Sequence, residues 1–289
     1  MTDRFATRFP APAKVNRFLH VTGRRADGYH ELQTVFQFVD LMDSLRFTPL
    51  PAGRFELVAE PSLARDDNLC LRAARLLDSA VGPGLGIRIE LTKRIPTGGG
   101  LGGGSSDAAT TLVALNYLFG LGLQPGGLAD LGLQLGADVP VFVHGHAAWA
   151  EGVGERLVSV EPDTPWLLLV DPGVAVSTAE MFAADELTRD CPPERITHSG
   201  YRALRNVFEA PVRRRYAPVD AAMAWLEESG VPARLSGTGG CLFGLCADEA
   251  TAVALQGSQP QPWRSWVVRL RNRSPLCAWL ARSSGALRD

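Results

Sequence analysis

Apolar and polar residues alternate through Val15, Arg17, Leu19 and Val21, lose the alternation across GRRADGYH, and regain it through Leu32, Thr34, Phe36 and Phe38. A period of two on both sides of a polar, glycine-containing break predicts two strands joined by a turn. Lys14 and Asn16 lie two apart on the first of them and are expected on one face, a candidate site wall. A further strand is expected at Arg54–Ala59. DDNLCLRAARLLDSA then carries Leu69, Ala73 and Leu76 on one face behind an Asp-Asn start, which predicts a capped helix. GLGIRIELTKRIP alternates as a half-exposed strand does, and DAATTLVALNYLF, with Leu112, Leu115, Asn116 and Phe119 at helical spacing, predicts a second helix.

Beyond that helix, LADLGLQLGADVPVFVHGHAAWAEGVGERL predicts a short helix, a turn containing Asp138, and an apolar strand starting near Val139. WLLLVDPG is a continuous apolar run suited to a buried strand, and a domain boundary is expected just before it, giving units 1–162 and 163–289. Helices are expected at Ser177–Glu186 and Val219–Ser229, a second glycine turn within Arg234–Leu245, a helix at Asp248–Leu255 and a last strand at Ser265–Leu270. No internal repeat is evident, and only the tail SSGALRD reads as disordered.

Composition narrows the function classes. The 289 residues are 46% hydrophobic, ample for two packed cores. With 29 basic and 31 acidic side chains the net charge is −2, which gives no excess field to draw nucleic acid or anionic lipid, so neither is an expected partner. MTDRFATRFPAPAK lacks the apolar segment of a signal peptide and no later run is long enough to span a bilayer, so a cytoplasmic location is expected. Five scattered cysteines without a C-x-x-C pair indicate buried thiols rather than disulfides or zinc.

The chemistry concentrates in IPTGGGLGGGSSDAA, where six glycines occupy the seven positions 98–104 between a predicted strand and a predicted helix. Without Cβ atoms, successive backbone N–H groups can turn inward around an anion, and the following helix adds its unpaired N–H groups and positive dipole. Nucleotide phosphate is the expected occupant. Gly98-x-Gly100-x-x-Gly103 formally meets the dinucleotide fingerprint, but no N-terminal βαβ unit surrounds it. A Walker loop needs a lysine where this chain has Ser105 and Ser106. A flexible linker would not sit between a patterned strand and helix.

Four blocks in order, PAKVNRFLHVTGRRADGYHELQTVFQFVDL, IPTGGGLGGGSSDAA, LGADVPVFVHGHAAWAEGVGE and LSGTGGCLFGL, resemble the kinase superfamily of galactokinase, homoserine, mevalonate and phosphomevalonate kinases. More narrowly they resemble its branch acting on 4-diphosphocytidyl-2-C-methyl-D-erythritol, in non-mevalonate isoprenoid synthesis. The resemblance implies an α+β fold in two domains, a ribosomal-protein-S5-like N-terminal domain and a ferredoxin-like C-terminal domain with the active site in the cleft between them. It implies ATP and Mg2+ as cofactors and that cytidine diphosphate alcohol as the small-molecule partner. Lys14 and Asp138 become the catalytic pair, and the phosphates fall on Pro96, Gly98, Gly99, Gly100, Leu101, Gly102, Gly103, Gly104, Ser105 and Ser106. Asn68 and Lys93 become adenine and ribose neighbours, Tyr29 and Phe182 the two walls on the cytosine, His30 the contact to its polar edge, and Asn16 a substrate contact.

Residue chemistry agrees with these roles. An alcohol is a weak acid, so a carboxylate that orients it and takes its proton assists attack on a γ-phosphoryl group, and a nearby ammonium keeps that carboxylate ionised. Two aromatic faces suit a base. Read locally, Asp138 is equally a turn former, Lys93 a solvated strand charge and Phe182 a core aromatic. Magnesium travels with ATP, and Ser106 is the hydroxyl expected to touch it. His144 and His146, two apart on an expected strand, lack a third ligand and are not read as a metal site, and Arg213-Arg214-Arg215 reads as a solvated face. Two other readings stay open: a homoserine- or mevalonate-type kinase, and a nucleotide sensor without catalysis.

Overall fold

The computed structural model describes residues 4–195 and 204–283; the predicted tail lies outside them save for its first residue. In chain order the elements are β1 (Arg8–Arg24), β2 (His30–Pro49), β3 (Phe55–Val58), α1 (Leu69–Val81), β4 (Ile87–Thr92), α2 (Gly103–Phe119), α3 (Pro125–Leu133), α4 (Val139–His144), β5 (Ala148–Glu151), β6 (Arg156–Ser159), β7 (Trp166–Asp171), α5 (Thr178–Ala183), α6 (Glu209–Arg215), α7 (Ala217–Glu228), β8 (Ala233–Leu235), β9 (Leu242–Cys246), α8 (Glu249–Ser258), β10 (Arg264–Arg271) and α9 (Pro275–Ser283). The fold is α+β.

The hairpin of β1 and β2 organises the first half. One edge of β2 pairs antiparallel with β1 along nearly its whole length, and the other is shared by β5 at Thr34–Phe36, β10 at Phe38–Val39 and β4 at Ser44–Pro49. The register of β1 against β2 shifts between Pro12 and Lys14, between Asn16 and Leu19, and between Val21 and Gly23. Such bulges bend a strand and re-aim its side chains. Lys14 and Asn16 sit between the first two shifts. Apart from α5 and α6, inserted after β7, the second half runs β7-α7-β8-β9-α8-β10 with strand order β10-β7-β9-β8, all antiparallel, which is the ferredoxin-like arrangement.

Among the described residues, three buried clusters carry the two halves and their junction, and a fourth, smaller one gathers Phe18, Val35 and Trp149. Phe9, Phe47, Ile89, Leu77 and Leu112 fill the first half, where Leu276 of α9 returns to pack against them. Leu168, Val170, Met223, Leu226 and Phe208 fill the second. Between them, Val15, Val39, Ile95 and Leu101 meet Leu169, Phe243 and Leu270, joining the halves through a continuous apolar layer.

Besides adding α9, the structure departs from the sequence reading at three segments. The residues from Val139 to His144 form a helix, not a strand: Pro140 lies in the first turn, and Gly145, at φ 70°, closes the helix by donating to Val141 O at 2.9 Å. A short apolar run carries no period to separate the two, and here the proline and glycine decide. His144 therefore ends a helix, while His146 makes an isolated bridge to Arg273. Helix α2 begins at Gly103, not Asp107, because Gly102 takes the left-handed conformation and its carbonyl accepts from Ser106 N. The arginine run ends the unexpected helix α6, where Arg213 pairs with Asp220 and Glu227 and Arg215 with Glu186 rather than being merely solvated.

Candidate active site

Two cavities meet at the glycine loop. One, of about 640 Å³, is lined by Lys14, Asn16, Arg24, Tyr29, His30, Thr34, Phe36, Asp138, Thr178, Phe182 and Thr238. The other, of about 430 Å³, is lined by Asn68, Lys93, Pro96, the loop glycines from Gly98 to Gly104, and Asp107. Gly100, Gly102 and Ser105 line both. A donor nucleotide in the smaller cavity and an acceptor in the larger would thus meet at the loop.

The loop has the geometry of an anion cradle. Gly98, Gly100 and Gly102 alternate at φ 73°, 74° and 70°, which only glycine adopts without strain. Gly99 O accepts from Cys241 N at 3.1 Å, Gly100 O from Ser236 Oγ at 3.0 Å and Lys14 Nζ at 3.2 Å, and Leu101 O from Lys14 N at 3.0 Å. Within each peptide the N–H points opposite its carbonyl, and the N–H groups of Gly100, Leu101 and Gly102 bond no other described residue. They adjoin the first turn of α2, whose N–H groups are likewise free for a ligand. The second glycine turn closes on the first from behind: a Cβ on Gly240 would lie 2.9 Å from Gly98 O, and one on Gly100 would lie 2.1 Å from Ser236 O.

At the junction, Lys14 Nζ lies 3.2 Å from Asp138 Oδ2 and 2.7 Å from Asn16 Oδ1, with the Phe36 ring centroid 5.1 Å away. Lys14 is 2% exposed, so its charge depends on these partners. Asn16 is held in turn: its Nδ2 donates to Thr34 Oγ1 at 2.9 Å, and that hydroxyl donates to Phe18 O. Asp138 occupies the N-cap position of α4 but makes no capping bond, which leaves its carboxylate for Lys14 and the cavity. Lys14 and Asn16 thus share a face, and Asp138 faces them.

The other sequence-predicted residues distribute as follows. Asn68 caps α1, its Oδ1 accepting from Cys70 N at 2.9 Å, and lines the smaller cavity. Lys93 lines that cavity too, but two of its three donors are engaged, one with Asp43 and one with Asp107 at 2.7 Å. Burial works against the Lys93 charge, yet Asp107 and Asp43 outweigh it and hold the ammonium above its usual range. Ser106 Oγ is buried without a partner and lines neither cavity, whereas Ser105 opens to both.

At the far end of the larger cavity, Tyr29 stands on the turn tip, 66% exposed. His30 stacks on Phe182 with centroids 5.0 Å apart at 26°, and its Nε2 is buried without a partner. Burial, then Arg189 and Arg24, depress the His30 pKa, so the ring is neutral near pH 7. Sequence reasoning missed Asp43, Asp107, Ser236, Thr178 and Thr238; the last two line the larger cavity, their hydroxyls 2.9 Å apart. Only Ser236 and Thr238 carried a signal, lying inside the second glycine turn.

Comparisons with known proteins follow the same map. The family model for the GHMP kinases N terminal domain matches residues 68–146, and that for the GHMP kinases C terminal domain matches residues 195–259. The 4-diphosphocytidyl-2-C-methyl-D-erythritol kinase of Chromohalobacter salexigens is 52% identical over 276 residues, covering 92% of each chain. That of Halorhodospira halophila is 50% identical over 280 residues, covering 96% of this chain and 97% of its own. A crystal structure of 4-(cytidine 5'-diphospho)-2C-methyl-D-erythritol kinase superposes with a TM-score of 0.81 at 34% identity, covering 91% of this chain and 99% of that one. A mevalonate kinase structure at 16% identity, TM-score 0.69, covering 92% of this chain and all of its own, shares the fold.

Proposed function

The chain belongs to the GHMP kinases and, within them, to the 4-diphosphocytidyl-2-C-methyl-D-erythritol kinases, and from that premise we propose how its residues perform the reaction. It is an ATP-dependent phosphotransferase that phosphorylates the 2-hydroxyl of 4-diphosphocytidyl-2-C-methyl-D-erythritol. The observation that carries the residue assignment is the Lys14–Asp138 pair, set where the two cavities meet beside the glycine loop.

ATP lies with its base toward Asn68 and Lys93 and its phosphates on the N–H groups of the loop and of α2. The acceptor lies with its alcohol at Asp138 and its cytosine among Tyr29, His30 and Phe182. The hydroxyl oxygen attacks the γ-phosphorus while the bond to the β–γ bridging oxygen breaks, and ADP leaves with that electron pair. Asp138 takes the hydroxyl proton, and the Lys14 ammonium, steadied by Asn16, offsets charge on the transferring group. A tertiary alcohol is hindered, so positioning supplies much of the rate.

Mg2+ bound with ATP would neutralise phosphate charge. Ser105 opens onto both cavities and Asp138 onto the larger, a sparse oxygen set that suits an ion arriving with its nucleotide, whereas the buried Ser106 hydroxyl lines neither cavity. Among the described residues no cluster of three or more metal-binding side chains occurs. Residues 1–162 form the nucleotide-binding unit and 163–289 the substrate-side unit, a division supported by one buried cluster drawn mainly from each, with Leu276 of α9 packing in the first and Leu19 and Val21 of β1 in the second. No described helix is long and apolar enough to cross a membrane. The cytoplasm, where ATP is supplied, is the compartment that fits.

ADP release is to be measured with the cytidine diphosphate alcohol, homoserine and mevalonate in parallel. The first should exceed the others in kcat/KM by at least about a thousandfold, since only it fills the base subsite and positions its alcohol by that contact. Faster turnover of homoserine or mevalonate would overturn the substrate, and ATP binding without turnover of any alcohol would favour a sensor.

A further inference from the structure

Asp43 lies on β2 and lines neither cavity, and its side chain is fully buried. Its Oδ1 accepts from Arg94 N at 2.5 Å and Ile95 N at 2.9 Å, and its Oδ2 is bonded by Lys93 Nζ. Lys93 Nζ also donates to Asp107 at 2.7 Å. Lys93, Arg94 and Ile95 lead into the glycine loop, whereas Asp107 lies in the first turns of α2, where the loop has ended. One buried cluster therefore ties both ends of the loop to each other and to β2. Gly103 leaves the room it needs: a Cβ there would lie 3.2 Å from Lys93 Nζ.

The charge count separates this cluster from the anion site itself. Two carboxylates face one ammonium, so the group carries no surplus positive charge for phosphate. Attraction must come from the loop N–H groups, the α2 dipole and Lys14. What the cluster can supply is fixed spacing at the neck of the cradle, and an anion cradle of several N–H groups loses affinity when its ends drift.

Resting on the reading of this site as the ATP cradle, we propose that Asp43 is a positioning residue for the nucleotide, fixing the entry and exit of the glycine loop through Lys93 and Asp107. Asp43 touches no substrate. Its effect falls first on the nucleotide side, because Lys14, Asn16 and Asp138 bond one another and Thr34 without touching the cluster and meet the loop only where Lys14 bonds Gly100 O and Leu101 O.

The test is steady-state kinetics of Asp43→Asn with each substrate varied, alongside direct titration of ATP by calorimetry. The amide keeps one acceptor oxygen for the backbone N–H groups but turns a donor toward the Lys93 ammonium. KM for ATP and its Kd should rise about tenfold or more, with kcat at saturating ATP within about threefold and KM for the alcohol unchanged. A variant that is folded and binds ATP as wild type does overturns the proposal, as does a parallel fall in kcat with both KM values unchanged, which is simply loss of active protein. If Asp43→Asn does not fold, Asp107→Asn releases the exit side alone and must show the same split; no change in KM for ATP there overturns the proposal equally. Calorimetry needs no turnover, so a wrong acceptor would leave this outcome readable, while failure of wild-type turnover would count only against the assigned reaction.

Discussion

Two glycines of the cradle, Gly102 and Gly104, should respond differently to alanine. At Gly102, φ is 70° and a Cβ would lie 2.8 Å from Phe142 Cζ, 2.9 Å from Phe142 Cε2 and 3.2 Å from Lys14 Cε. Phe142 and Lys14 are each 2% exposed, so neither can swing into solvent. The left-handed conformation costs alanine about 1–2 kcal/mol and overpacking about 1–3 kcal/mol more, so Gly102→Ala should destabilise by about 2–5 kcal/mol. At roughly 2–4 °C per kcal/mol that lowers Tm by about 4–20 °C. It should also push Lys14 off Asp138 and cut kcat. Gly104 lies in the first turn of α2 without a left-handed φ, and its Cβ would meet only Leu69 Cδ1 at an ordinary 3.4 Å. Gly104→Ala should leave Tm unchanged or raise it by the helix preference of alanine, about 0.5 kcal/mol near a helix end, although the methyl enters the nucleotide cavity and should raise KM for ATP. Scanning calorimetry of both variants decides. Equal Tm changes in the two, or a Gly102→Ala variant as stable as wild type, would refute the close packing of loop, ring and ammonium.

Asp138→Asn should lower kcat by about 10²–10⁴-fold, the usual contribution of a positioned base, with the ATP Kd retained; near-normal turnover would remove Asp138 from the role. The His30 pKa is depressed, so its stability contribution is complete above the unfolded value near 6.5 and declines as pH falls through the folded value. Protonation places a cation beside Arg24 and Arg189, so KM for the alcohol should climb over the same acid range, and His30→Gln should flatten that climb. Burial, opposed by Lys93 and aided by Asp43, raises the Asp107 pKa to about 7. Its favourable term is therefore fully present below the unfolded value near 4 and lost as pH rises through about 7, and urea titrations of Asp107→Asn should show a shallower decline on the alkaline side.

What could be read from the sequence was local. The hairpin announced itself by period-two alternation around GRRADGYH, the α1 cap by Asp67-Asn68, and the cradle by glycines between a strand and a helix. Helix α9 was legible but passed over: Ser274-Pro275 starts it, with Ser274 Oγ accepting from Leu276 N at 3.2 Å, and Leu276 and Trp279 share its buried side. What could not be read was held by distant partners. Asp43, in FVDLMDSL, looks like any strand aspartate until the backbone N–H groups of Arg94 and Ile95, more than fifty residues away, are brought to it. Asp138 is an ordinary turn aspartate until Lys14 arrives from the first strand. The Tyr29 face stands open on a turn tip, where exposure alone argues neither for nor against a ligand.

The two glycine turns gain their meaning from one another. Gly99 O and Gly100 O are bonded from behind by Cys241 N and Ser236 Oγ of the second turn, and Gly100 O also takes Lys14 Nζ. Each engaged carbonyl fixes the direction of the N–H on its own peptide, so the second unit sets where the cradle of the first unit points. Asn206, buried on the second unit, holds that turn by donating to Leu235 O at 3.0 Å and Gly237 O at 2.7 Å. The direction of the cradle N–H groups is therefore set jointly by the two glycine turns although every one of those N–H groups belongs to the first. A fragment ending before β7 would keep the glycines, the helix and Lys14, yet lose the bonds from Cys241 N and Ser236 Oγ that orient two of the three cradle peptides.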